Sequence, residues 1–410
     1  MISLNSQPNN SLRDQKLSSP KISVFFDLYG PLHENKDIGQ IPMGLIENGL
    51  DSSVITVTKK ELFSHNPKYQ IIHHKLEDFY KQEFWVNNDS DVIIAYPLQG
   101  ASYSPLIEKM KSGGKTVLLK FDSDGRFHFP LQRNYFRIPL RERLTFRNII
   151  GDAYWRLSPQ QLKRRRHTKV AYELIRQIEL SDSTIIESPD ALANLNYVLT
   201  AWKRSDLIKK NHFVPNPVDP EYVEGTIGKK DKIVLSFGRW DDFRQKNTRV
   251  MAETVVDFLK LKPDFRSVIF GAGTDLVKSF LQDAPEEIKS RIEILGYVEK
   301  AKIKELLGIS KIFFVPSRWE SFSISSAEAL CMGCSIVGTP VEALRYLSMQ
   351  GFSGSISPTF HKEAILASLL QDANKWDRGM YEAEKIAAYW RPKLDRKTVA
   401  YSIERLARGN

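Results

Sequence analysis

Glu320 and Glu328 stand eight positions apart in the segment KIFFVPSRWESFSISSAEALCMGCSIVGTP (311–340), which reads as strand, loop, helix, strand. Glu320 falls in the loop and Glu328 in the helix, and Ser321, Ser323, Ser325 and Ser326 crowd the helix start. A helix N-terminus offers unpaired N–H groups and the positive end of the helix dipole, so it suits a phosphate. Loops at the C-terminal ends of strands are also where α/β folds hold ligands. A carboxylate in such a loop can accept hydrogen bonds from sugar hydroxyls, and one a helical turn deeper can accept them from ribose hydroxyls. The structural alternative is that Ser325-x-x-Glu328 is a capping box, with Glu328 tying off the helix.

The same stretch resembles the donor-site signature of retaining glycosyltransferases of family 4, which have the two-Rossmann (GT-B) fold. Their pattern runs PS-x-x-E-G-F-G, an apolar residue, then E-A and a following x-G-x-P-V-V. Here it reads PSRWESFSISSAEALCMGCSIVGT. The resemblance implies that Glu320 positions the transferred sugar, that Glu328 holds the ribose, and that Ser321, Phe322 and Ser323 line the donor loop. Ser321 and Ser323 replace two glycines that let backbone approach the donor phosphates closely, and serine there requires φ below zero. A second departure is VEALRYL (341–347), where relatives often have a Gly-Gly pair, so the cover over the donor is expected to differ.

In KIVLSFGRWDDFRQKN (232–247), Gly238-Arg239 follows a strand, and Arg244 and Lys246 follow in the loop. The resemblance assigns Arg239 and Lys246 to the donor diphosphate, with Arg244 beside them. Fixed cations would stabilise the charge that the leaving diphosphate gains. The alternative is a solvated basic loop. SVIFGAGTD (267–275) places Gly271 and Gly273 after a strand, either to hold the nucleotide or only to make a tight turn, and Gly296 ends IEILGY in a comparable place.

Earlier in the chain the match is looser. DLYGPLHENKDIGQIPMGLIENGL (27–50) puts Gly39 where a glycine of the family approaches the phosphates. KFDSDGRFHF (120–129) has Phe121-Asp122 where many relatives have His-Asp, making Asp122 and Asp124 candidates for orienting the acceptor hydroxyl or the sugar. A D-S-D-G turn is the alternative, and nearby His128 carries little weight. Asp122 and Asp124 have the D-x-D spacing of metal-dependent transferases but lie in the wrong domain for it. The resemblance implies that no metal and no cofactor are needed, the nucleotide-diphosphate-sugar being a co-substrate. NHFVPNPVD (211–219) resembles the family's hinge, with proline in place of its glycine.

The elements that must position these groups are short apolar runs alternating with helical stretches. Ten runs read as strands, at 21–29, 52–57, 91–97, 115–121, 183–188, 232–238, 266–271, 292–297, 311–317 and 335–339. Most are rich in Val and Ile without strict alternation, as in parallel sheets buried on both faces. Strand–helix alternation gives an α/β fold, and ten strands at this length divide into two doubly wound domains. The expected architecture is α/β, two Rossmann-like domains with parallel sheets facing a cleft. Residues 1–19 read as a disordered tail, 20–210 as the acceptor domain, 211–231 as a proline-rich hinge, 232–385 as the donor domain, and 386–410 as a helix crossing back to the first domain.

The chain has 410 residues, with hydrophobic residues at 42% and a formal net charge of +10, which favours an anionic partner without choosing one. The start is polar, without a secretory h-region, and no apolar run nears the ~18 residues of a membrane span. A cytoplasmic protein is expected, with peripheral attachment to the inner face of the membrane as a further option. Residues 126–169 carry twelve Lys and Arg against Glu142 and Asp152, with interleaved aromatics and a densest run at KRRRH (163–167). That stretch suits either an anionic membrane surface or a solvated helix face, and no nucleic-acid module accompanies it. Cys331 and Cys334 are read as two small buried hydrophobes, since one C-x-x-C pair supplies too few ligands for a structural zinc site.

The resemblance thus implies a retaining, metal-independent glycosyltransferase that takes a nucleotide-sugar donor and a glycan or lipid-linked acceptor. The alternatives are a nucleotide-sugar epimerase or phosphorylase on the same fold, or a non-catalytic carbohydrate-binding or scaffold protein.

Overall fold

The computed structural model describes residues 19–57, 68–97, 103–125 and 159–409, except for the side chains of residues 160 and 162–167. The expected tail lies outside the described residues but for Ser19. So do His128 and nearly all of the basic aromatic stretch; the helix Gln160–Leu180 contains its end.

The first sheet has strands β1 (Ile22–Phe25), β2 (Ser52–Thr56), β3 (Gln70–His73), β4 (Val92–Ala95), β5 (Thr116–Phe121), β6 (Ser183–Ile186) and β7 (Asn211–Phe213). They are all parallel, in the order β3-β2-β1-β4-β5-β6-β7. The second sheet has β8 (Asp231–Arg239), β9 (Arg266–Ala272), β10 (Ile292–Ile294), β11 (Ser310–Val315), β12 (Ser335–Gly338) and β13 (Gly354–Ile356), again parallel, in the order β10-β9-β8-β11-β12-β13. Both are doubly wound, reversing direction between β1 and β4 and between β8 and β11. Such switch points leave a crevice beyond the strand C-termini.

All ten anticipated strands are present. Three were not anticipated, β3, β7 and β13, and each is the outer strand of its sheet. Edge strands of three or four residues lack the long apolar run of a two-sided burial; β3 and β7 have no fully buried residue. β7 lies within the stretch read as hinge, so the connection between the sheets begins after Phe213.

Alternation sorts the first sheet into two cores. Phe25, Ile93, Val117, Leu119 and Phe121 face one side, and Val24, Ile94, Tyr96 and Leu118 face the other. The second side is covered by the helix Asp37–Glu47 through Ile38, Ile41 and Leu45, and by Val399, Ala400 and Ile403 of the last helix, Arg396–Ala407. The helix Ala383–Leu394 stays in the second domain's core through Ile386, Trp390 and Leu394. The crossing back therefore falls at Asp395, which caps the last helix by accepting from Lys397 N at 2.7 Å. There Val218 N donates to Leu394 O at 2.8 Å, so the two crossings between domains run side by side. Arg396 pairs with Glu47 and donates to Gln40 Oε1 at 3.0 Å, fastening the last helix to the first domain. No described helix is long and apolar enough to cross a membrane.

Candidate active site

β8 ends at Gly238-Arg239, and a short helix, Phe243–Lys246, follows. Three hydrogen bonds stitch this loop to the one after β11. Arg318 N donates to Gln245 O at 2.7 Å, Gln245 Nε2 to Trp319 O at 3.1 Å, and Arg318 Nε to Asn247 Oδ1 at 3.1 Å. The stitched loops bring Lys246 Nζ to 2.7 Å from Glu320 Oε1. The lysine stem crosses Gly238, where an added Cβ would sit 3.6 Å from Lys246 Cδ and Cε. Arg239 is placed differently. Its side chain is 70% exposed at the rim, 3.9 Å from Asp242 Oδ2. Arg244 lies over the Phe243 ring at 5.9 Å.

The donor loop departs from expectation at three points. Ser323 has φ +64, so the requirement of φ below zero fails there. The strained serine is the N-cap of the helix Ile324–Cys331, and its hydroxyl bonds to Ser326 Oγ at 2.7 Å. Because the cap is Ser323, Ser325 lies inside the helix and the capping box with Glu328 does not form. Phe322, assigned to substrate, is wholly buried in the second domain's core, which takes its ring away from any ligand.

Glu328 is only part-buried, yet withdrawal of its carboxyl from water, helped by the charge of Asp219, pushes it up to about 8, with Lys300 pulling the other way. Asp219 closes the hinge segment. It accepts from Lys300 Nζ at 2.7 Å and from Gln40 Nε2 of the first domain at 3.4 Å. Glu328 therefore stands beside a carboxylate that touches both domains.

Asp122 reaches the donor loop from the opposite side, hydrogen-bonded by the Ser321 side chain. It keeps an open face to solvent, while protein from both domains surrounds it. Burial first and Asp37 second raise its carboxyl above the usual range; Glu320 adds to this, and the Ser321 bond and Lys120 oppose it. The Asp124 carbonyl accepts from Asn194 Nδ2 at 3.0 Å, and the same amide reaches Glu342 Oε1 at 3.2 Å. Glu342 opens the helix Glu342–Ser348, standing where the family often has its glycine pair.

The glycines have packing reasons of their own. Gly271 has φ +118, and a Cβ on it would lie 2.1 Å from the Gly238 carbonyl. Gly273 meets Asp241 N in the same way, at 2.4 Å. These glycines let the loop after β8 lie against β9. At Gly39 the space a Cβ would need is filled by the Glu34 backbone, 2.4 Å away, from the preceding loop. Cys331 and Cys334 are buried thiols, and burial pushes both up.

The structure thus gathers Glu320, Lys246, Ser321 and Asp122 between the sheets, puts Glu328 on the Asp219 network, and leaves Arg239 at the rim. Sequence reasoning missed Lys120, a wholly buried lysine under Asp122. The available signal was a charge in the next-to-last position of an otherwise apolar strand.

The chain is similar to several known proteins. Residues 220–383 match the family model described as Glycosyl transferases group 1. The lipopolysaccharide core biosynthesis mannosyltransferase LpsB of Rhizobium meliloti (strain 1021) is 28% identical over 194 residues, 46% of this chain and 52% of that protein. The poly(glycerol-phosphate) alpha-glucosyltransferase of Bacillus subtilis (strain 168) is 23% identical over 372 residues, 82% of this chain and 52% of that protein. The chain spans about half the length of these curated relatives. Among solved structures, Anabaena HepE in complex with UDP and glucose superposes with a TM-score of 0.65 at 13% identity, over 95% of this chain and 100% of that one. At that identity the likeness is one of fold.

Proposed function

We propose that the chain, whose residues 220–383 match the group 1 glycosyl transferase model, moves a sugar from a nucleoside-diphosphate sugar to an acceptor hydroxyl with retention of anomeric configuration. The observation that carries this reading is the Lys246–Glu320 pair, held by two stitched loops at the C-terminal edge of the second sheet and faced by Asp122 across the cleft. The diphosphate draws Lys246, with Arg239 swinging in from the rim. Glu320, released from the lysine, takes the hydroxyls of the transferred sugar, and Glu328 takes the ribose. Asp122 orients the acceptor hydroxyl as it attacks.

Fixed charge and positioning supply the acceleration, without a covalent intermediate or a metal ion. The donor is supported by the UDP-bound HepE neighbour, and a lipid-linked or polymeric acceptor by the printed activities of LpsB and the poly(glycerol-phosphate) enzyme. On this reading the protein works in the cytoplasm, against the inner face of the membrane, where it would meet such an acceptor.

The test is a screen of UDP-, GDP- and ADP-sugars by thermal shift, followed by hydrolysis and transfer assays. One donor class should raise the melting temperature and be slowly hydrolysed without acceptor. A protein that binds none of them is a non-catalytic scaffold, or a carbohydrate-binding protein where it binds glycans alone. Release of a 2-epimer with no acceptor marks an epimerase.

A further inference from the structure

In β5 the side chains Val117, Leu119 and Phe121 enter one core and Leu118 the other. The same alternation sends Lys120 and Asp122 after Leu118, onto the face covered by the helix Asp37–Glu47. Burying a lone ammonium is costly, and the fold surrounds this one with partners from four other elements. Lys120 Nζ lies 2.9 Å from Glu187 Oε1 after β6 and 3.3 Å from Asp37 Oδ2 at the start of the helix. It also donates to Asn216 Oδ1 in the segment between the domains. Tyr96, after β4, donates to the same Asp37 oxygen at 2.9 Å, and its ring lies 5.5 Å from Nζ.

Asp122 joins this set as its third carboxylate, with Asp37, Glu187 and Lys120 acting on it or feeling it from the first domain and Glu320 from the second. Among the described residues, one cation thus serves three acids. A pair selected only for burial would leave no acceptor open, yet Glu187 Oε2 is buried with no hydrogen-bond partner among the described residues. Excess carboxylate around a single fixed cation, at the sheet edge where ligands bind, is the arrangement of a functional site.

We propose that Lys120 is a positioning residue for sugar transfer, whose charge beneath the cleft keeps Asp122 a carboxylate able to orient the acceptor. The proposal rests on the reading of Asp122 as the acceptor-side group. Without the ammonium, Asp122 faces Asp37, Glu187 and Glu320 with the Ser321 hydroxyl as its remaining support, and takes up a proton at higher pH.

The experiment titrates the Asp122 carboxyl by carbon NMR in aspartate-labelled protein, assigned by Asp122→Asn, in the parent and in Lys120→Met. The midpoint should rise by about one pH unit or more, the range for losing an opposite charge nearby. The acid limb of kcat/KM should rise by the same amount. If Lys120→Met does not fold, Lys120→Gln, which keeps a hydrogen-bond donor for the buried acceptors but carries no charge, is titrated in its place. An unmoved Asp122 midpoint in the folded variant overturns the proposal, and lost transfer with that midpoint unmoved makes Lys120 structural only. Should the parent transfer no sugar, the functional reading fails, while the carboxyl titration still decides whether Lys120 sets the charge on Asp122.

Discussion

Lys246 and Glu320, residues on different loops 74 positions apart, form an ion pair of 2.7 Å. The lysine is 17% exposed and the glutamate 9%, so the pair is screened little by solvent. A diphosphate carries more charge than one carboxylate and can displace Glu320 from the lysine. On the proposed function, donor binding would free the carboxylate for the sugar and so link arrival of the phosphates to assembly of the sugar site.

Removing either partner should separate stability from catalysis. Lys246→Ala leaves a buried carboxylate unpaired, at a cost of about 1–3 kcal/mol, read as a lower urea midpoint. Turnover should fall by about 100-fold or more in Lys246→Ala and in Glu320→Ala, the scale for losing a fixed electrostatic contact to the transition state. The double variant Lys246→Met/Glu320→Gln should recover stability without recovering turnover. Normal turnover in either single variant, with the fold intact, removes these residues from the site.

Glu328 predicts a pH dependence of donor binding. With its carboxyl at about 8 it is mostly protonated at neutral pH, whereas ribose hydroxyls donate best to the ionised form. Below about 8, binding must therefore release a proton. Affinity for an intact nucleotide sugar, whose diphosphate does not titrate in this range, should climb by up to about tenfold per pH unit from the acid side and level off above about 8. Glu328→Gln should flatten the curve. Calorimetry in two buffers of different ionisation enthalpy should show the proton leaving in the parent alone. A flat affinity profile in the parent contradicts the assignment of Glu328 to the ribose.

Much of this was legible in the chain because strands buried on both faces write themselves as apolar runs. β5, β8 and β11 are of this kind, and the motifs sit at their ends. β3, β7 and β13 were not legible, since an outer strand can be held by one neighbour and needs no such run. Phe322 was misread because a motif gives proximity in sequence, while the side chain next to a loop carboxylate can turn into the core. Lys120 was invisible for another reason. Its partners Asp37, Glu187 and Asn216 lie 83, 67 and 96 positions away, and only the fold brings them together.

Phe322→Ala should act on the core alone. Truncating a wholly buried phenylalanine costs about 3–5 kcal/mol and lowers the melting temperature accordingly. Donor affinity of the folded fraction, measured below the transition, should stay within a factor of two or so of the parent, because no contact to the ligand is removed. A large loss of affinity with unchanged stability restores the ring to the donor site.

Ser323 tests how a serine serves where glycine is the ordinary choice. Its φ of +64 costs roughly 1 kcal/mol or more for a residue with a Cβ. The hydroxyl contact to Ser326 at 2.7 Å returns about 0.5–1.5 kcal/mol. Ser323→Ala keeps the strain and loses the contact, so it should be destabilised by about that amount. Ser323→Gly loses both, so it should unfold at a urea midpoint near the parent's and above that of the alanine variant. The glycine also removes the side chain from the N-terminus of the helix, opening the backbone N–H groups to a phosphate. Its donor affinity should equal or exceed the parent's. An alanine variant as stable as the glycine one means that the left-handed conformation is not held in solution, and the N-cap at Ser323 goes with it.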